Sequence, residues 1–282
     1  MKLYGYRDPI GNFGDDLNLW LWPRLVPGIF DEDDGRLFLG IGTLLNHRVP
    51  TAPRKIVFGT GVGYGELPSI DTRWKIYCVR GPLSARALDL PPSCAATDPA
   101  VFVRDLELPS AETEAEISFM PHHRSMHRAI PWARYCRLYG IQLIDPRGPL
   151  LPTLGSLRGS KLVVTESLHG AIVADALRIP WIAIRLFDLV LASKWEDWCA
   201  SVGLHYDPVP TPRLPWPRSG LRSRLASKAR AALLVRHLKR VAGSVRPQMS
   251  AESDFERAYA RLEDHLARFR SDWRISGGRD GE

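Results

Sequence analysis

Residues 163–177 read VVTESLHGAIVADAL. An apolar run stops, Glu166, Ser167 and His169 follow, and Gly170 opens a helix-like pattern. An imidazole can donate a hydrogen bond, carry charge or move a proton near neutral pH. A core has little use for one at this junction, whereas an anion bound beyond the strand has. Comparable chemistry recurs in Gly11, Asn12, Gly14, Asp15 and Asp16, in Gly59, Thr60, Gly61 and Gly63, in Arg80 and Gly81, and in His122 and His123. Glycines at a helix start let backbone N–H groups approach an anion that the helix dipole also favours. Arg80 adds a fixed positive fork suited to carboxylate or phosphate. The expected ligand is small and anionic.

Each feature has a plainer reading. GTGVG lacks the G-x-G-x-x-G spacing of a dinucleotide site, and glycines at strand ends commonly make turns. Asp15 and Asp16 also suit any helix N-terminus. Arg80 is alternatively a structural partner of a carboxylate, and His169 a histidine bonded to its own loop. Adjacent histidines rarely share one ion, so His122 and His123 do not argue for a metal, and no metal is expected. Lys194 to Trp198 (KWEDW) reads as a packed helix face.

These residues need elements to hold them. Short apolar runs at 2–6, 36–42, 54–63 and 73–81 read as strands, with a helix-like NLWLWPRLV after the first and PLSARALDL after the last. Pro82 suits a first helical turn. TDPAVFV (97–103) reads as a turn and strand, and 105–115 as a linker. The pattern then restarts, with strands expected at 116–123, 141–145, 162–167 and 180–184, and helices in RAIPWARYCRLYG, HGAIVADALRI and SKWEDWCASVGL. Such alternation implies parallel βαβ units. The expected fold is α/β, with two Rossmann-like domains, 1–110 and 111–207, whose parallel sheets face a cleft. Ligands of such sheets bind beyond the carboxyl ends of the strands. Residues 208–282 form a third unit: a proline-rich extended connector, a basic amphipathic helix, and a helix opening with Ser253 and Glu256 at capping-box spacing.

The composition is globular, with 45% hydrophobic and 24% charged residues in a chain of 282. Met1 to Pro9 contains no apolar stretch long enough for a signal peptide, so none is expected, and charges at Asp175, Arg178, Arg185 and Asp188 interrupt the most apolar stretch, so a buried helix and strand are expected there. Cys78, Cys94, Cys136 and Cys199 show no C-x-x-C spacing, so reduced thiols and a cytoplasmic location are expected. The net charge of +7 is local: Pro208 to Ala251 holds ten Lys or Arg and no Asp or Glu.

Taken in order, GNFGDDLN (11–18), FGTGVG (58–63), VRGPLSARAL (79–88), DPA (98–100), FMPHH (119–123), TESLHGAIVADALRIPW (165–181) and KWEDW (194–198) resemble the polysaccharide pyruvyl transferase family, especially its exopolysaccharide-biosynthesis branch. The resemblance covers roughly residues 1–205 and does not extend to the rest. It implies a GT-B-like fold, phosphoenolpyruvate as donor, a sugar hydroxyl pair as acceptor, a pyruvate ketal as product and no cofactor. The histidine of the family's L-H-G motif acts at the donor, and His169 holds that place. Some members carry an arginine two residues earlier to hold the donor; here the position is Ser167. Arg80 is the expected substitute, followed by His122 or His123. Gly170 and the glycines Gly14, Gly61 and Gly81, with Asn12, are expected at the anion. Glu166 or Asp15 is expected to assist deprotonation of the sugar.

Residues 213–246 are expected either to lie on anionic lipid or to pack as a solvated helix across the two domains. Two rival functions stay open: a GT-B-type glycosyltransferase using a nucleotide sugar, and a non-catalytic basic protein that binds nucleic acid or membrane. The second ranks last because Trp216 is the sole aromatic of 213–246, and no nucleic-acid partner is expected.

Overall fold

The computed structural model describes residues 1–274 except 7, 52, 127–129, 188–189 and 213–220, and describes 221–227 as backbone only. Trp216 and Asp188 lie outside the described residues.

The apolar runs become two four-stranded, all-parallel sheets. In the first, β1 (Lys2–Tyr4), β2 (Arg36–Leu39), β3 (Arg54–Phe58) and β4 (Trp74–Cys78) lie side by side in chain order. Helix α1 (Phe13–Leu25) follows β1 and α2 (Pro82–Ala87) follows β4. The connections after β2 and β3 contain no helix among the described residues, because 40–53 and 59–73 are punctuated by glycine and proline. This half is therefore less regular than the expected alternation.

The second sheet has the order β6-β5-β7-β8. Its strands are β5 (Ser118–Met120), β6 (Gln142–Leu143), β7 (Val163–Thr165) and β8 (Trp181–Ala183). They are followed in turn by α3 (Trp132–Leu138), α4 (Leu150–Arg158), α5 (Leu168–Ala176) and α6 (Ala192–Ser201). The chain winds one way from β5 to β6 and back across β5 to β7, which creates a switch point between β5 and β7. A crevice opens at such a point beyond the strand ends. His122 and His123 leave one wall and Glu166 to His169 the other.

The boundary expected near 110 falls between the sheets, yet the apolar core crosses it. One cluster joins Phe38 and Phe58 of the first sheet to Met120, Leu168, Ile172 and Trp181 of the second half. The segment after 208 divides. Helix α7 (Leu221–Ser244) packs on the second sheet through Leu234, Val235 and Leu238. Helix α8 (Glu252–Asp272) returns to the first, where Phe269 meets Phe38, Phe58 and Tyr77 edge-on.

Two local expectations change and one helix is added. Residues 99–105 form a 3-10 helix, because Pro99 starts a helical turn and the Asp98 side chain caps it by accepting from Ala100 N. Helix α8 begins at Glu252 with Ala251 as its N-cap, so Ser253 lies inside it and caps nothing. Helix α4 has no counterpart in the sequence expectations, since Pro152 and Gly155 weaken its helical signal. All four cysteines are free thiols, and no helix of the described residues is long and apolar enough to cross a membrane.

Candidate active site

The loop after β1 is held by the second half of the chain. Gly11 takes φ +84, and a Cβ there would lie 2.9 Å from the Arg147 carbonyl oxygen. Two residues on, Phe13 N donates to Pro146 O at 2.7 Å. The N-terminus of α1 is thereby fastened to the β6–α4 loop. Asn12 is its N-cap residue, and the Asn12 Nδ2 donates to Asp15 Oδ2 at 2.9 Å.

Helix α5 brings His169 to the same place. Ser167 caps α5, its Oγ accepting from Gly170 N at 3.3 Å. The imidazole then lies against the first turn of α1: a Cβ on Gly14 would sit 2.1 Å from His169 Nδ1. Only glycine leaves room for the ring. On its other side, His169 Nε2 is 3.6 Å from Asp98 Oδ2. Both atoms are buried, and neither has a hydrogen-bond partner among the described residues. Asp98 keeps its other oxygen on Ala100 N. An imidazole between a buried carboxylate and a helix start is oriented to exchange a proton through its second nitrogen. Burial pushes the Asp15 carboxyl up to about 6; the Asn12 bond and His169 oppose that rise, and Asp16 and Asp8 add to it.

Next to this group stand the paired histidines, with ring centroids 4.2 Å apart. His123 Nε2 meets Asp8 Oδ2 at 3.2 Å. Burial, reinforced by His123, Lys194 and Arg124, lowers His122 to about 3. Burial also lowers His123, against the pull of Asp8. Both rings are thus neutral near pH 7 and available as hydrogen-bonding groups, while Lys194 and Arg124 supply nearby positive charge. The Lys194 Nζ also donates to the Tyr64 hydroxyl at 2.8 Å.

Several expected residues are engaged elsewhere. The Glu166 carboxylate is fully buried and accepts from His122 N, Ser125 Oγ, Leu186 N and Phe187 N. Burial raises its pKa, and those bonds draw it back. With every approach occupied, Glu166 ties the loops after β5, β7 and β8 together and is closed to a sugar hydroxyl. Arg80, expected at the anion, is only 1% exposed. Its Nε bonds Asp197 Oδ2 at 3.1 Å, and its terminal nitrogens meet Gly42 O, Thr43 Oγ1 and Val62 O. Gly61 lies against that guanidinium and Gly81 against the Asp197 backbone, so this trio forms a joint between the first half and α6 rather than a ligand cradle. Gly170 is spent on the Ser167 cap and on contact with Met120 and Thr165.

The structure therefore gathers His169, Asp15, Asn12, Gly14, His122 and His123, and adds Asp98, Asp8 and Lys194, which sequence reasoning did not select. Asp98 stood in the DPA string, but its place before a proline reads equally as a cap. Lys194 stood in KWEDW, whose Trp195, Asp197 and Trp198 are indeed buried.

Comparison with known proteins adds three findings. The sequence model of the polysaccharide pyruvyl transferase family matches residues 14–186, a span that holds Gly14, Asp98, the paired histidines and His169. The succinoglycan biosynthesis protein ExoV of Rhizobium meliloti (strain 1021) is 42% identical over 212 residues, covering 74% of this chain and 67% of that protein. No solved structure matches the chain.

Proposed function

The chain belongs to the polysaccharide pyruvyl transferase family, and from that premise we propose that it moves the pyruvate moiety of phosphoenolpyruvate onto a pair of sugar hydroxyls as a ketal during exopolysaccharide biosynthesis. The observation that carries this reading is the dyad of His169 and the buried Asp98, set against Gly14 at the start of α1. The two sheets are taken as Rossmann-like halves whose strand ends share one crevice, a GT-B-like arrangement. The junctions Phe13–Pro146 and Gly14–His169 support it by bringing the two halves together.

The chemistry follows from the donor. The C2 of phosphoenolpyruvate becomes electrophilic when C3 accepts a proton and becomes a methyl group. One sugar hydroxyl adds to C2 and gives up its proton. The second hydroxyl then displaces phosphate, which leaves with the bonding electrons, and its own proton passes to a base. His169 supplies the proton to C3 or to the departing phosphate. Asp98 holds the ring in position. Asp15, with a carboxyl drawn up to about 6, is matched to taking a hydroxyl proton near neutral pH. The donor's carboxylate and phosphate meet Lys194, Arg124, the neutral histidine pair and the start of α1, where fixed positive groups stabilise the charge that grows on phosphate. This set takes over the role expected of Arg80, and Ser167 serves as a helix cap where some relatives carry a donor-binding arginine.

The test is thermal stability with phosphoenolpyruvate and, separately, UDP, since a ligand of the native state raises the midpoint by mass action. Phosphoenolpyruvate is expected to raise it and UDP to leave it unchanged, with His169→Ala folded but inactive in phosphoenolpyruvate-dependent phosphate release. Stabilisation by UDP alone would move the protein to nucleotide-sugar chemistry. Near-normal turnover by His169→Ala would remove that residue from the mechanism.

A further inference from the structure

A second surface is unrelated to the cluster around His169. Strand residues of the second sheet alternate between two cores. Met120, Val163 and Trp181 enter the large one, whereas Phe119, Val164 and Ile182 enter a smaller one. Helices α3 and α7 cover that smaller core, α3 with Trp132 and Cys136 and α7 with Leu234, Val235 and Leu238. Because both lie on one face of one sheet, their opposite sides share an outer surface. Exposed there are Arg134 and Leu138 of α3, and Leu233, Arg236, Lys239 and Arg240 of α7. Leu233, Arg236 and Arg240 follow at helical spacing, so they form one stripe.

This surface differs from the rest of the molecule in two ways. No Asp or Glu occurs between Asp207 and Glu252, and Asp145 alone occurs between Glu116 and Glu166. Many cations elsewhere meet carboxylates, as in Arg73–Asp71, Arg104–Glu256, Arg147–Asp145 and Arg257–Asp254. Among the described residues none of the four cations of this surface is ion-paired. Its leucines also stand out: Leu138 at 69% and Leu233 at 61% are the most exposed large apolar side chains described.

We propose that the α3–α7 surface docks the protein on an anionic lipid bilayer. Cations at the lipid phosphates and leucines at the boundary of headgroups and acyl chains match the two components of that interface. A nucleic acid would engage the cations but give the leucines no partner, and it would be bound more tightly with aromatic platforms than with leucines. The proposal does not depend on the pyruvyl transfer reading, because none of its residues belongs to the His169 cluster.

The experiment is co-sedimentation of the full chain with phosphatidylcholine vesicles, pure or with about 30 mol% phosphatidylglycerol, at low salt and at about 0.5 M salt. Binding is expected only with the anionic lipid and only at low salt. The triple variant Arg236→Glu, Lys239→Glu, Arg240→Glu is expected to bind at least about tenfold more weakly with an unchanged thermal midpoint. Should it fail to fold, Arg134→Glu on α3 with Arg236→Glu alone on α7 reads the same surface. Leu138→Ser with Leu233→Ser is expected to weaken vesicle binding as well. No sedimentation of the wild type with anionic vesicles at low salt would overturn the proposal, as would wild-type binding by the folded charge variants. So would full binding by the leucine variant together with displacement by duplex DNA, which marks a general polyanion surface.

Discussion

Asp15 gives the most quantitative handle on the candidate site. Its carboxyl is raised from 3.8 to about 6, chiefly by burial. A displacement of about two pH units corresponds to about 3 kcal/mol of stability at pH 7. The sign follows from proton binding. The folded state holds this proton more tightly than the unfolded chain, so wild-type stability falls as pH rises from about 4 to about 6 and is level above. Asp15→Asn removes the charge, keeps the shape, and can still accept the hydrogen bond from Asn12 Nδ2. The variant is therefore expected to be more stable than wild type by up to about 3 kcal/mol at pH 7, shrinking to about 0.5 kcal/mol at pH 4. Its turnover should fall, since an amide accepts no proton. The assay is urea unfolding of both proteins at half-unit steps from pH 4 to 7.5, with ΔG extrapolated to water. A variant no more stable than wild type at pH 7, or a gap that does not narrow toward pH 4, would refute the claim that Asp15 is held in a desolvated site. A stabilised variant with undiminished turnover would leave the burial argument intact and remove Asp15 as the base.

The remaining predictions concern its neighbours. His122 is lowered from 6.5 to about 3, so the folded state resists its protonation and stability is lost as pH falls below 6.5; His122→Gln should recover about 2–3 kcal/mol at pH 4.5 and nothing at pH 8, read by the same urea series. Asp98→Asn should lower phosphoenolpyruvate-dependent turnover by roughly 10²–10⁴-fold while the thermal midpoint stays near wild type, because the amide disturbs the orientation of His169 without emptying the site; a kinetically normal variant would show that Asp98 serves only as the cap of residues 99–105. Asp197→Ala strands a buried guanidinium and the amides of Leu83 and Ser84, and should cost about 3–5 kcal/mol. Arg80→Met with Asp197→Leu should regain much of that loss, and failure of both to alter the unfolding midpoint would mean the joint carries no stability.

Much of the molecule was legible from pattern alone. Short apolar runs closed by glycine mark the ends of parallel strands, and all eight strands fall within the segments expected at 2–6, 36–42, 54–63, 73–81, 116–123, 141–145, 162–167 and 180–184, β6 being the shortest at Gln142–Leu143. The position of His169, between the end of β7 and the first turn of α5, was legible too. The ordered family strings added that Ser167 departs from some relatives. Misreadings occurred where one residue type serves two purposes. Asp98 before proline is a cap and also faces His169; Glu166 beside His169 looks catalytic and is a four-way clamp.

Sequence by itself determined the strands, the family and the basic character of 208–251, because burial periodicity, motif order and charge count are properties of neighbouring residues. Tertiary structure alone decided the partners. Arg80 meets Asp197 across 117 positions, Gly14 meets the ring of His169, and the basic stripe of α7 lies on the same sheet face as α3. A charge or an imidazole takes its function from what lies within a few ångströms, and linear order says nothing about that distance until the two sheets are packed.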